Sequence, residues 1–199
     1  RHEPLATTPQ RQFPVPVHRL TYDEAFVRAT GSRVLSATVN DLQKLAEQHG
    51  IVPPPGLTDD DRDGWLNWLL AELVEPMLER EQAVFVYDFP ASQSALARVR
   101  DDNPPVVERF ELYLHGVEIC NGYQELTDAE ELHRRNAIQA EIRAREGHPP
   151  LPNESRLLAA MESGFPNCSG VALGFDRLFM LGMGITSIDE VIAFPFGRA

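Results

Sequence analysis

The chain has little cysteine, a shortage of positive charge and no long apolar run, and each absence excludes something. Cys120 and Cys168 are its two cysteines, too few for a multi-bridge framework. Neither sits in a CxxC or Cys/His pattern that would hold zinc, so both read as buried, reduced thiols. Against 30 Asp and Glu stand 18 Lys and Arg, for a net charge of −12. A broad phosphate-binding surface is therefore not expected, and direct affinity for tRNA or DNA is not the default. A local basic cleft remains compatible with an acidic protein. No signal peptide and no apolar stretch of transmembrane length is visible, so the simplest reading is a cytoplasmic protein without membrane contact. No internal repeat or low-complexity tract interrupts the chain. It begins at Arg1 and not at methionine, which suggests a fragment, a processed chain or an incompletely described one.

What is present is a hydrophobic fraction of 43% in 199 residues, enough for the core of one domain with irregular flanks. Residues 1–19 hold four prolines and read as an extended lead-in. Thr21-x-x-Glu24 is a capping box that opens a short helix ending at Gly31. Asn40 to His49 reads as a second helix, with Leu42, Leu45 and Ala46 inward and Gly50 as its stop. Pro53 to Gly56 is a hard break. Asp59, Asp60 and Asp61 suit the first turn of a third helix, and Pro76 disturbs or ends it. Its Trp65, Leu66, Trp68, Leu69, Leu70, Leu73 and Val74 are assigned to the core.

Residues 83–90, AVFVYDFP, predict a buried strand, followed by a polar loop to Pro105. Thr127-x-x-Glu130 reads as a second capping box, starting a charged helix that runs to about Glu146. Asn153 to Ser163 predicts another helix, stopped by Gly164. Gly170 to Gly174 reads as a strand of small residues that passes into a helix carrying Asp176 and Arg177. Small residues in a strand mean that another backbone or a ligand comes close. The chain closes with a short turn or helix and an apolar segment.

The densest information lies in residues 108–128, ERFELYLHGVEICNGYQELTD, where Glu111, Glu118 and Glu125 recur every seven residues. Alternation puts Phe110, Leu112 and Leu114 on one face of a strand and Glu111 and Tyr113 on the other. With His115-Gly116 as a hairpin turn, Val117 and Ile119 resume the apolar face. Glu118 then faces Tyr113, and Glu111 faces Cys120. The two carboxylates become diagonal neighbours on one face, with roughly 7–8 Å between their backbone positions. Such a group reads either as a solvated sheet face or as a site for a hard cation bound to phosphate. Strict alternation cannot put Glu118 on the same side as Asn121, Tyr123 and Glu125. A bulge or kink is therefore expected at Gly122 or just before it.

Two segments, ERFELYLHGVEICNGYQELTD and GVALGFDRLFML, resemble the last third of the class II aminoacyl-tRNA synthetase catalytic domain, in its lysyl branch. FVYDFPASQSALARV, SGFPNCSGVALGFDRL and EVIAFPFGRA shift the resemblance toward a paralogous family, the elongation factor P–(R)-β-lysine ligases. It covers roughly residues 20 to 199. The resemblance implies an α+β fold, an antiparallel sheet flanked by helices, in a homodimer. It implies ATP and Mg2+ as cofactors, lysine or β-lysine as substrate and elongation factor P as acceptor in place of tRNA. The alternatives are a lysyl-tRNA synthetase fragment and a truncated, non-catalytic paralogue acting as a binding or regulatory module.

Position by position, the resemblance assigns Glu111 and Glu118 to the metal. Glu118, the Ile119 backbone, Gly174 and Arg177 go to ATP, with Arg177 on the phosphate tail. Asn121, Tyr123, Glu125 and Ala172 go to the amino acid, with Glu125 pairing with an amino group. Ala172 stands where lysyl-tRNA synthetases have glycine, and in the ligase family that alanine accompanies acceptance of a β-amino acid. No single residue is assigned as catalytic. Arg1-His2-Glu3-Pro4 resembles the end of the stretch after motif 2. Residues 1–19 are thus expected to be a remnant of that region, and residues 20–199 the C-terminal part of a catalytic domain containing motif 3. Motifs 1 and 2, with their phosphate-binding arginine, are expected upstream, leaving half an active site here.

Overall fold

The computed structural model describes residues 17–145, 147–150 and 155–198. The reading of residues 1–16 and of Glu146, Asn153 and Glu154 lies outside them. A six-stranded sheet in the order β1-β2-β4-β5-β6, with a short β3 beside β4, forms the frame. Its strands are β1 (Val17–Thr21), β2 (Ala83–Pro90), β3 (Val99–Arg100), β4 (Val106–Leu114), β5 (Val117–Gln124) and β6 (Ser169–Leu173). β1 runs parallel to β2, and the remaining pairs are antiparallel. With helices on its flanks this is an α+β arrangement, as expected. β1 begins at Val17, inside the stretch read as extended lead-in, because β2 offers it a parallel edge.

Local chemistry sets the helix ends. Thr21 and Glu24 form the capping box that opens α1 (Tyr22–Thr30), and Gly31 closes it in the left-handed conformation, φ 80°. α2 (Val39–Gln48) buries Leu42, Leu45 and Ala46. The third helical stretch starts as α3 (Arg62–Leu69), widens into a π turn over Leu70–Val74 and resumes as α4 (Glu75–Leu78). Pro76 has no amide to offer a carbonyl one turn back, and the wider turn before it absorbs the mismatch. The helix is therefore disturbed and not ended.

Tyr22, Phe26, Leu42, Leu66, Leu69, Val74 and Leu78 from these helices meet Val84, Val86, Phe89 and Val107 of the sheet in one core. Each such side chain contributes about 1.5–3 kcal/mol on full burial. Trp65 is buried in it and Trp68 packs at its margin.

α5 (Ala129–Arg145) and α6 (Arg156–Glu162) form a smaller cluster through Leu132, Leu158 and Met161. The capping box expected at Thr127 is not the one used. Asp128 caps α5, accepting from the amides of Glu130 at 2.9 Å and Glu131 at 3.1 Å. Glu131 in turn pairs with Arg134 and Arg135, which hold its carboxyl down at about 2.

β6 leads through Gly174 into α7 (Phe175–Met183). This edge strand and its helix expose Val171, Leu173, Phe175, Phe179 and Met183. Both cysteines are free, but only Cys120 is buried; Cys168, just before the edge strand, is half-buried. Among the described residues no helix is long and apolar enough to cross a membrane.

Candidate functional site

The β4–β5 hairpin turns at His115 (φ 49°) and Gly116 (φ 77°), and Leu114 pairs with Val117 and Tyr113 with Glu118. Two positive φ values in succession suit a tight hairpin turn. Beyond that point the register differs from the expected one. Leu112 pairs with Cys120 and Glu111 with Asn121, so Glu111 does not face Cys120. Ile119 is the extra residue, left without a partner on β4. Its bulge supplies the required change of parity, three residues before Gly122.

Gly122 answers a different need. It lies opposite Phe110, and a Cβ there would stand 2.5 Å from two atoms of the Phe110 ring.

The bulge gathers one face of the sheet. Arg109, Glu111 and Tyr113 on β4 face Tyr123, Asn121 and Glu118 on β5 in direct pairs, and Asn121 and Tyr123 face Ala172 and Gly170 on β6. The solvated-face reading does not hold. Glu111 is 5% exposed and Tyr113 2%, because α1, α3 and the π turn pack onto the same side through Val84 and Val86. Phe110, Leu112 and Leu114, on the opposite side, are only half-buried.

Glu111 is fully engaged. One oxygen accepts from Arg109 Nη2 at 2.5 Å and Asn121 Nδ2 at 2.8 Å, and the other accepts from the Tyr113 hydroxyl at 2.6 Å. Burial nevertheless raises its carboxyl above the usual range, with Tyr113 and Arg109 opposing and Glu118 adding to the rise. Burial, then the charge of Glu111, pushes the Tyr113 hydroxyl up as well, so it stays a donor. Glu75, the first residue after the π turn, feels the same neighbourhood. Its carboxyl is raised by burial first and then by Glu111 and Glu118.

At the other end, Arg177 Nη1 donates to the Glu118 carbonyl at 2.9 Å and stands 3.5 Å from its carboxylate. Its ion pair is thus with Glu118 and not with Asp176. The Gly174 amide donates to the Ile119 carbonyl at 2.8 Å. A Cβ at Gly174 would meet nothing closer than 3.6 Å, so no neighbour within the chain requires glycine there. Glu118, Ile119, Asn121, Ala172, Gly174 and Arg177, with Cys120 and Leu173, line an open cleft of about 310 Å³. Glu111, Tyr123 and Glu125 lie outside that lining.

Glu125 sits just beyond β5. Its backbone bridges to Ala97, and one carboxylate oxygen lies where a Cβ of Gly170 would come within 2.2 Å. The carboxylate is half-buried and has no hydrogen-bond or ion-pair partner among the described residues. The small residues of β6 thus make a low floor under the β5 side chains.

Four residues of this face were not assigned from the sequence. Arg109 and Tyr113 flank Glu111 at two-residue spacing, so alternation alone could have found them. Gly170 was marked only as one of several small residues. Glu75 is far away in sequence and no local pattern points to it. No group of three or more His, Cys, Asp or Glu able to hold a metal occurs among the described residues. A cation here would have to complete its coordination with ligand oxygens, as magnesium does when one or two carboxylates and phosphates share it.

The family model described as tRNA synthetases class II (D, K and N) matches residues 2–198. Several curated proteins are similar over most of the chain. An elongation factor P–(R)-β-lysine ligase from Proteus mirabilis (strain HI4320) is 43% identical over 180 residues, 90% of this chain and 55% of that protein. The ligase of the same name from Klebsiella pneumoniae (strain 342) is 42% identical over 184 residues, 92% of this chain and 56% of its own length. That from Vibrio vulnificus (strain YJ016) is 42% identical over 180 residues, 89% and 55%. The chain spans about half the length of the curated relatives it matches.

Proposed function

The chain belongs to the class II tRNA synthetase family of the D, K and N type, and from that premise we propose that the whole protein is an ATP-dependent ligase. It activates a lysine-type amino acid, (R)-β-lysine, as the adenylate and transfers it to a lysine of elongation factor P. The names of the relatives support the substrate and the acceptor. The net charge of −12 favours a protein acceptor over tRNA.

The observation that carries this reading is the one-sided assembly made by the Ile119 bulge. A cation- and phosphate-directed group, Glu118 with Arg177, shares a sheet face with an amine-directed group, Asn121 with Glu125. The cleft volume lies in the range of small-molecule sites, about 300–1,000 Å³.

In the first half-reaction a carboxylate oxygen of the amino acid attacks the α-phosphorus of ATP. The bond to the bridging oxygen breaks and pyrophosphate leaves. In the second, the acceptor lysine nitrogen attacks the adenylate carbonyl, AMP leaves and the amine proton is released. Little covalent help is needed; position and charge are. Arg177 offers a planar fork for phosphate oxygens. The Gly174 and Ile119 backbone forms the nucleotide wall. Glu125 is the counter-ion for a substrate ammonium, with Asn121 and Tyr123 bounding the pocket and Ala172 flooring it. Glu118, with Glu111 behind it, would hold magnesium, which would supply neutralisation of phosphate charge.

ATP–pyrophosphate exchange by the whole protein, compared between α-lysine and β-lysine, tests the proposal. Exchange with β-lysine is expected, and its loss in Glu125→Gln. Exchange with neither amino acid overturns the ligase reading, and a preference for α-lysine overturns the substrate.

A further inference from the structure

Resting on the functional reading above, we propose that Arg109 is a positioning residue that locks Glu111 and Asn121 into one rigid unit. Its Nη2 donates to Glu111 Oε1 at 2.5 Å and its Nε donates to Asn121 Oδ1 at 3.2 Å. Asn121 Nδ2 donates to the same Glu111 oxygen at 2.8 Å. The three side chains therefore close a ring of hydrogen bonds. The ring settles which way the Asn121 amide points. A flipped amide would set its NH2 against the Arg109 N–H and its oxygen against a carboxylate. In the observed sense Asn121 keeps one N–H and one lone pair for a ligand.

Arginine is required by this geometry, since two adjacent donors in one plane reach two different acceptors. The guanidinium carbon also lies 4.5 Å from the centroid of the Phe89 ring, and Nη1 reaches the Gln93 carbonyl at 3.4 Å. The platform is itself built by an irregularity. The β2–β4 register shifts between Tyr87 and Phe89, where Asp88 takes φ 59°, and Phe89 joins Val84 and Val86 in the core. Regular alternation would have put Phe89 on the opposite side, beyond reach of Arg109. Asp88 is held in place by Arg100 at 2.8 Å. Two bulges thus serve one face, that at Ile119 for Asn121 and that opposite Asp88 for Arg109.

Arg109 couples the two ends of the site. It touches the carboxylate behind the cation end and the amide at the amino-acid end. Arg109→Lys keeps the charge and loses the fork. In exchange assays on the whole protein, this variant is expected to raise both the amino-acid KM and the magnesium concentration at half-maximal rate about tenfold, the scale of lost outer-shell partners. Its kcat should change less than either. A fall in kcat with both concentrations unchanged would show a merely structural role and overturn the proposal. Combining Arg109→Lys with Asn121→Ala should cost less than the product of the single effects, and a full product would also overturn it.

A readout independent of activity is the 15N–1H pair of the Asn121 side-chain amide, identified by its loss in Asn121→Ala. Arg109→Lys, with its fold checked by thermal melting, should move it, and an unmoved pair sinks the idea. Phe89→Leu keeps the arginine and removes its platform. It should shift the same pair less far, and decides the matter if Arg109→Lys does not fold. Wild-type protein inactive in exchange would refute the ligase reading while leaving this amide test decisive.

Discussion

The amide of Gly174 and the carbonyl of Ile119 are joined by a 2.8 Å hydrogen bond. It ties the extra residue of β5 to the start of α7. The bond links the bulge to the junction that carries Arg177. Neither residue uses its side chain for this.

Gly122 is expected to resist substitution because of Phe110. Gly122→Ala places a Cβ 2.5 Å from Cε1 and Cζ of that ring and should destabilise the fold by about 1–3 kcal/mol, as overpacking does. Phe110→Leu removes both atoms. In that background the alanine should cost clearly less in urea unfolding. An equal cost in both backgrounds would reject packing as the reason for glycine.

Gly170→Ala should damage function more than stability. The new Cβ meets Glu125 Oε1 at 2.2 Å, and a flexible carboxylate can move aside. Stability is expected to stay within about 0.5 kcal/mol. The KM for the lysine-type amino acid should rise about tenfold, through misplacement of the counter-ion. An unchanged KM argues that Glu125 does not meet the substrate.

Helix α5 should depend on Asp128 and not on Thr127. Asp128→Ala removes the acceptor of two amides and is expected to cost about 1 kcal/mol. Thr127→Ala should stay within about 0.5 kcal/mol. Thermal melts of the two variants decide between the caps.

Burial, then the charges of Glu111 and Glu118, raise the Glu75 carboxyl above its ordinary value of 4.5. The folded chain therefore favours its protonated form. The stability it contributes is complete below the ordinary glutamate range and is lost as pH rises through the raised value. Glu75→Gln should accordingly gain on wild type between about pH 4 and about pH 7. Urea unfolding at both values measures this; a gap that shrinks or stays constant contradicts it.

Much of the fold was legible because it is written locally. Thr21, Glu24 and Gly31 mark both ends of α1 within ten residues of sequence, and the apolar run 83–90 coincides with β2. The Asp128 cap was missed because Thr127 offers the commoner capping-box pattern, and only the path of the chain into α5 chooses between neighbours. The parity conflict between Glu118 and Asn121 showed that an irregularity was needed. Glycine's permissive backbone pointed to Gly122, whereas the register puts the bulge at Ile119, whose carbonyl accepts from the Gly174 amide. Arg109 shares its face with Glu111 by simple alternation, but its partnership needed Phe89, and the shift at Asp88 could not be read from residue types.

The sequence by itself determined that Glu111 and Tyr113 share a strand face and that Asn121, Tyr123 and Glu125 share one parity, because alternation acts over a few residues. The meeting of Arg177 with Glu118 was implied only by the family resemblance. Only the tertiary structure decided that Glu111 is buried and satisfied while the Glu125 carboxylate has no partner among the described residues. Burial depends on which elements pack against a face. Here α1, α3 and the π turn, distant in sequence, cover one end of the carboxylate row and leave the other open.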